Sequence, residues 1–342
     1  MTGEKVMFGM EAKAIKGIYQ GEQAIWLRFG RYEAAVLPER GANLIAFRDR
    51  ESNFRFLREP APEEMDAFRG HPSVYGIPIL FPPNRYEDGL LRWEGEVYRM
   101  PVNETARNNR LHGFLHTIPW ETDCYGADPC ESWATLSVTV DESHPVYRHF
   151  PFRFTVRLRY SLSKNGLMHH VLVRNDGDRR MPLLLGFHTA INAPFAPGST
   201  PADMRIKLTI GERWELTPDR MLPTGRKLPL SPEEEKMRDG TGSPYFAPLD
   251  HHYTAVPQQG RNRMELRDMR RGLTLVYDVG TSFRQWMFWN NDAASGFFCP
   301  EPQTNLINAP NMDLPAEEIG LFGLEPGEIW EETCRLYLIR GV

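Results

Sequence analysis

Phe152-Arg153-Phe154-Thr155-Val156-Arg157-Leu158-Arg159-Tyr160 is the segment that most clearly indicates the fold class, because apolar and polar residues alternate through it without a break. Successive side chains of a β-strand point to opposite faces, so a period of two indicates an antiparallel strand with one face buried and the other in solvent. Five further segments repeat the alternation less regularly, namely residues 133–140, 168–173, 273–279, 283–289 and 333–339.

Turn-forming residues separate these segments, as in Ser163-Lys164-Asn165-Gly166. Helical signals are few: Ser231-Pro232-Glu233-Glu234-Glu235 offers an N-cap, a proline and an acidic first turn, and residues 60–69 indicate one or two more turns. Strands and helices do not alternate, and no linker or repeat divides the chain. The sequence therefore predicts an all-β fold, either a sandwich or a barrel, in one domain spanning residues 1–342.

The composition is that of a globular protein, with 41% hydrophobic and 25% charged residues and a net charge of −5. It has no basic stripe and no apolar run of roughly 18 residues, which disfavours a nucleic-acid partner and a membrane span. The N-terminus lacks the pattern of a signal peptide. The four cysteines lack zinc-site spacing, which favours reduced thiols and a cytoplasmic location, although Cys124 and Cys130 could close a small loop.

Glu301 is the first candidate for chemistry, because it lies between Pro300 and Pro302. Pro300 lacks a backbone donor and Pro302 favours an extended conformation at Glu301, so we expect a carboxylate on stiff backbone that cannot complete a sheet ladder. Such a side chain costs little to orient, as a general base requires. The alternative is a surface glutamate in a proline-rich turn.

Histidines provide the second group of candidates. His188 follows the apolar residues 183–185, and a histidine at a strand end can donate a proton at neutral pH after a small upward shift of its pKa. The alternative is a core histidine bonded to backbone. His112 and His116 lie four residues apart, as metal ligands can, but Gly113 opposes a helix there and no carboxylate recurs at ligand spacing. Gly113 instead indicates a place where a ligand approaches the backbone.

Three more segments carry groups suited to a sugar. Asn84 and Arg85 offer several directional donors for hydroxyls, or else a surface ion pair. Asp250 can accept two neighbouring hydroxyl protons. The run Gln285-Trp286-Met287-Phe288-Trp289 is aromatic on both faces, and one of them can stack on a pyranose unless both are core.

Taken in order, these motifs resemble the aldose 1-epimerase (galactose mutarotase) family. They span nearly the whole chain and are Val36-Leu37-Pro38-Glu39-Arg40-Gly41-Ala42, Phe81-Pro82-Pro83-Asn84-Arg85, Leu111-His112-Gly113-Phe114 with Pro119-Trp120, His188 with Asn192, Leu249-Asp250, Pro300-Glu301 and Leu324-Glu325-Pro326-Gly327-Glu328. Their order and spacing, rather than any one of them, make the match specific.

The resemblance implies a large antiparallel β-supersandwich with a metal-free sugar site that uses no cofactor. By resemblance, the general base is Glu301, the general acid is His188, and the residues that hold or adjoin the substrate are Arg85, His112, Asp250 and Asn84. Two departures bear on the substrate. Ala190-Ile191 stands where the family has an aromatic pair, and Gly113 stands alone where the family often has two glycines.

The implied activity interconverts the α and β anomers of an aldohexose, in a monomer or a homodimer. Four alternatives stay open. A relative acting on hexose 6-phosphates would use Arg40, Arg107 and Arg110 as a phosphate clamp. A glycoside hydrolase or lyase would need a second carboxylate, for which Asp250 is the candidate. A non-catalytic sugar-binding protein would need no matched acid and base, and a cupin-like enzyme would need a metal.

Overall fold

Antiparallel β-sheets dominate the computed structural model, which describes residues 11–341. In chain order, the strands before residue 130 are β1 (Ala12–Tyr19), β2 (Glu22–Phe29), β3 (Tyr32–Leu37), β4 (Asn43–Asp49), β5 (Phe54–Arg55), β6 (Ile79–Leu80), β7 (Arg85–Glu87), β8 (Leu90–Trp93), β9 (Glu96–Arg99), β10 (Asn109–Leu111) and β11 (Glu121–Ala127). The next nine are β12 (Glu131–Val140), β13 (Phe154–Ser163), β14 (Gly166–Asn175), β15 (Met181–Pro182), β16 (Gly186–Phe187), β17 (Ile191–Asn192), β18 (Met204–Leu208), β19 (Ile210–Leu216) and β20 (Pro223–Leu228). The last are β21 (Asp250–Ala255), β22 (Arg263–Asp268), β23 (Leu273–Asp278), β24 (Gln285–Trp289), β25 (Phe297–Gln303), β26 (Gly323–Leu324) and β27 (Ile329–Arg340).

Two eight-stranded sheets carry the core. One has the order β11-β12-β13-β14-β27-β23-β22-β18, and the other has the order β20-β19-β21-β24-β25-β16-β6 with β17 beside β25. A five-stranded sheet, β1 to β5, packs against β11, β12 and β13. Apolar side chains from both large sheets, such as Leu158 and Trp286, belong to one continuous buried cluster. This architecture confirms the all-β prediction and the β-supersandwich implied by the resemblance.

Strand β13 shows how the alternating pattern becomes structure. Phe154, Val156, Leu158 and Tyr160 are buried, whereas Arg157 is exposed. Neighbouring strands bury matching residues, because Val156 pairs with Val138 on β12 and with Val173 on β14. Each apolar side chain removed from water in this way contributes about 1.5–3 kcal/mol to folding.

Helices within residues 11–341 are short. They are α1 (Met65–Gly70), α2 (Pro232–Asp239) and α3 (Ala316–Ile319), with 3₁₀ turns at Pro62–Glu64, Pro72–Val74, Leu115–Thr117, Pro145–Arg148, Pro201–Asp203 and Ala309–Asn311. In α2 the Ser231 hydroxyl accepts from the Glu234 N–H at 3.3 Å, and the Glu234 carboxylate accepts from the Ser231 N–H at 2.8 Å. This capping box confirms the predicted helix start at Ser231. The helical turns predicted within residues 60–69 are also confirmed.

Strand β25 corrects an expectation about Glu301. Glu301 pairs with Met287 of β24 in a regular antiparallel ladder, so the prediction that Pro300 and Pro302 prevent a ladder is wrong. Backbone N–H groups of consecutive residues in a strand point to opposite edges of the strand, so those of residues two apart point to the same edge. Two prolines two residues apart therefore remove donors along one edge only, and the Glu301 N–H points to the other.

All four cysteines lie in the described range and are free thiols. Cys124 and Cys130, which the sequence left open as a disulfide pair, are exposed and not bridged in the structure, and Cys299 and Cys334 are buried. Within residues 11–341, the helices are all too short or too polar to cross a bilayer.

Candidate active site

One pocket of about 270 Å³ gathers every candidate that the sequence singled out for sugar chemistry. Its lining residues are His71, Ser73, Val74, Asn84, Arg85, Leu111, His112, His188, Asp250, Met287, Trp289 and Glu301. Short strands place the polar members at their ends: Arg85 begins β7, Asp250 begins β21, and His188 directly follows β16. Residues more than 200 positions apart in the chain therefore share one site.

His188 and Glu301 form a direct pair at the bottom of this pocket. The His188 Nε2 lies 3.1 Å from the Glu301 Oε1, and the two residues are only 4% and 2% exposed. The second carboxylate oxygen of Glu301 accepts a bond from the Gln303 Nε2 at 3.2 Å. Glu301 is thus held from two sides, and the alternative of a surface glutamate in a turn is wrong.

Burial favours the uncharged forms of both members of the pair. It raises the pKa of Glu301 well above its usual range, and the nearby Asp250 carboxylate adds to that shift. Burial lowers the pKa of His188 to about 3, with smaller contributions from His116 and Arg85. The pKa of His188 is therefore lowered, whereas the sequence suggested a small upward shift. The sequence could not show how deeply the surrounding sheets bury this side chain.

A neutral pair, made of a carboxylic acid and an imidazole, has the same number of protons as an ion pair, made of a carboxylate and an imidazolium. The two forms differ only in the position of one proton. A carboxylic acid hydrogen-bonded to imidazole becomes a carboxylate and an imidazolium by moving that proton across the 3.1 Å contact, without exchange with solvent. The pair can therefore offer a base and an acid side by side. Groups arranged in this way can remove a proton from one substrate oxygen while delivering a proton to an adjacent one.

Arg85 lies between two carboxylates on one wall of the pocket. Its Nε lies 3.2 and 3.1 Å from the two carboxylate oxygens of Glu104, and its Nη2 lies 3.4 Å from the Asp250 Oδ2. Arginine in such a fork has little freedom to rotate. Arg85 and Asp250 are consequently presented to the pocket as a fixed donor and acceptor.

Asn84 and His112 are joined through their backbones. The His112 N–H donates to the Asn84 carbonyl at 2.9 Å, and both residues adopt a left-handed conformation, with φ of 62° and 59°. The Asn84 Oδ1 and the His112 Nδ1 are buried and have no hydrogen-bond partner within the described part of the chain. Buried polar atoms of this kind are costly unless a ligand or water pairs with them, which suits a binding wall.

Gly113 has a different role from the one that the sequence suggested. A Cβ at this position would lie 2.2 Å from the Phe81 carbonyl oxygen, and the Gly113 φ is 62°. The Phe114 N–H also donates to that carbonyl at 3.0 Å. The glycine is therefore required by the close approach of residue 81, and the interpretation that it admits a ligand is wrong.

Trp289 forms the side of the pocket next to His188, and the centroids of the Trp289 and His188 rings lie 5.9 Å apart. Trp286 and Phe288, on the opposite face of β24, belong to the main core. Of the two interpretations of this strand, the structure supports the one in which a single aromatic face is core. Ala190 is buried against Trp289 and Phe297, so tryptophan and phenylalanine fill the wall beside this small residue.

Several contributors to the pocket were not identified from the sequence. Gln303 supports Glu301, Glu104 supports Arg85, and His71 with Ser73 lines the rim from the segment after α1. Gln303 could have been found, because residues two apart on a strand share a face. Glu104 and His71 carry no local signal, since only the tertiary fold brings their segments to the site.

The three arginines considered as a phosphate clamp are engaged outside the pocket lining. Arg40 donates to Glu22 at 3.0 Å, Arg107 donates to Glu104 at 3.2 Å, and Arg110 donates to the Gly113 carbonyl. Within residues 11–341, no group of three or more His, Cys, Asp or Glu side chains is arranged to hold a metal ion. The rings of His112 and His116, four residues apart, lie edge to face with their centroids 6.3 Å apart.

Comparison with known proteins identifies the relatives of this chain. The family model described as aldose 1-epimerase matches residues 23–337. A crystal structure of a galactose mutarotase-like protein from Clostridium acetobutylicum is 29% identical, covers 96% of this chain and 99% of its own, and superposes with a TM-score of 0.91. A GalM/aldose epimerase homologue from C. elegans, 18% identical over 97% of this chain and 100% of its own, shares the fold with a TM-score of 0.71.

A further relative is the uncharacterized protein YihR of Escherichia coli K12. It is 28% identical over 176 residues, which is 51% of this chain and 52% of that protein. The match spans about half the length of this curated relative.

Proposed function

Because this chain belongs to the aldose 1-epimerase family, we propose that it is a mutarotase, an enzyme that interconverts the α and β anomers of an aldohexose. The observation that carries the proposal is the 3.1 Å contact between His188 and Glu301 at the bottom of the pocket. Anomerisation exchanges protons at the C1 hydroxyl and the ring oxygen, and both oxygens are bonded to one carbon. An acid and a base that act on them together must therefore be neighbours.

In the proposed reaction Glu301 acts as carboxylate and His188 as imidazolium. Glu301 takes the proton of the C1 hydroxyl while His188 gives its proton to the ring oxygen. The bond between C1 and the ring oxygen breaks, and C1 becomes an aldehyde. After rotation about the C1–C2 bond, the ring oxygen returns its proton to His188 and attacks C1, while Glu301 returns its proton to the carbonyl oxygen. Each positioned acid or base gives on the order of 10²–10⁴ in rate.

The remaining polar side chains keep the rest of the sugar in place during that rotation. Arg85 and Asp250 offer a donor and an acceptor on one wall, and Asn84 and His112 offer buried atoms without partners in the described residues. Trp289 provides an apolar ring surface on which a pyranose can stack. We assign these five residues to substrate binding, with neither metal nor cofactor in the mechanism.

A bell-shaped dependence of rate on pH follows from the pair. The active form carries one proton, so activity falls when His188 gains a second proton, near its lowered pKa of about 3. Activity falls again when the pair loses its proton at the raised pKa of Glu301. Since burial moves the two pKa values apart, the plateau between the limbs should be broad.

Proton NMR tests the proposal directly, because the anomeric protons of the α and β forms give separate signals. Freshly dissolved α-glucose and α-galactose should equilibrate faster with catalytic amounts of the protein than in buffer alone. Acceleration only with the 6-phosphates would replace the proposed substrate, and no acceleration with any of them would overturn the proposed activity. Release of new reducing ends from glycosides, followed in parallel, would instead indicate a hydrolase that uses Asp250 as its second carboxylate.

A further inference from the structure

The Arg85 guanidinium contacts two carboxylates, that of Asp250, which lines the pocket, and that of Glu104, which does not. Glu104 does not line the pocket, yet its two oxygens lie 3.2 and 3.1 Å from the Arg85 Nε. Asp250 does line the pocket, and it contacts Arg85 through Nη2 alone at 3.4 Å. Arg85 thus makes its shorter contacts with Glu104, through both carboxylate oxygens, although Glu104 lies outside the pocket lining.

This division affects how much of Asp250 is available to a ligand. Arginine prefers to bind a carboxylate with two parallel N–H groups, which would occupy both carboxylate oxygens. In the structure Nε is engaged by Glu104, and Asp250 receives a single contact from Arg85, made by Nη2. One Asp250 oxygen then has no hydrogen bond to Arg85 and can accept a hydrogen bond from a sugar hydroxyl.

Glu104 is itself fixed by the loop that carries it. Its carboxylate accepts bonds from the Asn109 Nδ2 at 2.9 Å and from the Arg107 Nη1 at 3.2 Å. Its backbone N–H donates to the Asn109 carbonyl at 3.0 Å. Asn109 begins β10, where Leu111 pairs with Arg85 of β7, so the loop and the arginine are held in register.

A second segment fastens this loop from outside. Arg220 donates to the Arg107 carbonyl at 3.1 Å, and the Arg220 carbonyl accepts from the Asn109 Nδ2 at 2.9 Å. The Glu104 side chain is only 13% exposed. A carboxylate with this many fixed donors is a rigid support for a single orientation of Arg85.

We propose that Glu104 is a positioning residue, which binds Arg85 so that Asp250 keeps an oxygen for the substrate. The inference rests on the proposed mutarotase function and deepens it. Glu104 touches neither the substrate nor the His188–Glu301 pair, so its effect is on sugar binding and not on proton transfer. Its loss should raise KM and leave kcat within about twofold, since an interaction made equally in the ground and transition states changes only KM.

The test compares Glu104→Gln with Glu33→Gln, a matched control on β3 whose buried carboxylate contacts Arg28 at 2.7 Å and lies outside the pocket lining. We expect E104Q to raise KM about tenfold, because hydrogen bonds to charged groups contribute at least that factor. E33Q should leave KM unchanged. The Kd of each protein for galactose, measured by calorimetry, should change in the same way as KM. Calorimetry does not require turnover, so it tests the role of Glu104 even if the wild-type protein is inactive. An inactive wild type would overturn the proposed function but not the positioning role of Glu104.

A double variant separates positioning from general disruption. If Glu104 acts through Arg85, E104Q adds nothing to Arg85→Ala, so the double variant should have the KM of R85A. Independent, additive effects on KM or Kd would overturn the proposal, as would wild-type KM and Kd in E104Q. Should E104Q fail to fold, Arg85→Lys takes its place. A lysine cannot span both carboxylates, so unchanged KM and Kd in R85K would also contradict the proposal.

Discussion

Strand β13 buries apolar side chains and leaves Arg157 in solvent, whereas strand β25 buries all of its residues, including the Glu301 carboxylate. Both strands lie in the middle of an eight-stranded antiparallel sheet. The first obeys the rule that charges stay exposed, and the second breaks it. The difference separates a strand that stabilises the fold from one that buries a carboxylate at some cost in stability, which our proposal explains by its role as a base.

The two strands should therefore respond to substitution in opposite ways. Changes in β13 should act on folding and leave the chemistry of the folded molecule intact. Changes at the His188–Glu301 pair should act on chemistry and leave folding intact.

His188→Asn should lose at least about a hundredfold in rate, because a positioned acid contributes on the order of 10²–10⁴. The folded structure should remain, as judged by circular dichroism and melting. His149→Asn is the control, since His149 lies outside the pocket lining and contacts the Arg99 carbonyl. Full activity in H188N would show that His188 is not the general acid. It would also contradict the proposal that changes at the His188–Glu301 pair act on the chemistry.

Leu158→Ala should give the reverse pattern. Leu158 is fully buried on β13, and truncation of such a leucine lowers the free energy of unfolding by about 2–5 kcal/mol. The kcat of the protein that stays folded should match wild type, measured well below the melting temperature. The neighbouring Arg157→Ala, on the exposed face, should change the free energy of unfolding by about 0.5 kcal/mol or less. A stable but inactive L158A would show that the core and the site are not separable.

Arg85→Ala should mainly weaken sugar binding. The lost hydrogen bonds to a charged group correspond to about 1.5–3 kcal/mol, which is roughly a ten- to hundredfold increase in KM. The expected result is a raised KM with a much smaller change in kcat, measured by saturation kinetics. If kcat falls by more than KM rises, Arg85 acts on the reaction itself and not only on binding.

The pH dependence of stability is the smallest predicted effect. Burial raises the pKa of Glu301 and lowers that of His188, so the folded pair keeps one proton at neutral pH. The unfolded chain, with ordinary values near 4.3 and 6.5, releases that proton above about pH 6.5. Wild type binds more protons folded than unfolded in this window, so its stability falls as pH rises, by about 1 kcal/mol from pH 7 to pH 8.

Glu301→Gln should not show this fall, because its folded state holds no carboxyl proton that the unfolded chain has released. Urea unfolding of both proteins at pH 7 and pH 8 measures the difference. If wild type becomes more stable relative to E301Q as the pH rises, Glu301 is ionised in the folded protein, contrary to the direction given by its burial.

The fold was largely predictable from the sequence because its signal is local. Alternation at residues 152–160 predicts β13, and the capping residues around Ser231 predict the start of α2, without knowledge of any distant contact. The six candidate residues could be named from motifs, but their roles stay predictions. The support given by Glu104 and the direction of the His188 pKa could not be predicted, because both depend on segments that meet only in the folded chain.

Optical rotation measures whether Glu301 in β25 and His188 at the end of β16 catalyse anomerisation. Freshly dissolved α-galactose and α-glucose would be followed with wild type, with Glu301→Gln and without protein. In E301Q an amide replaces the carboxylate at nearly the same size, so fold and pocket are kept while the base is removed. We expect wild type to accelerate the change in rotation and E301Q to lose at least about a hundredfold of that acceleration. Equal acceleration by both proteins would contradict the account.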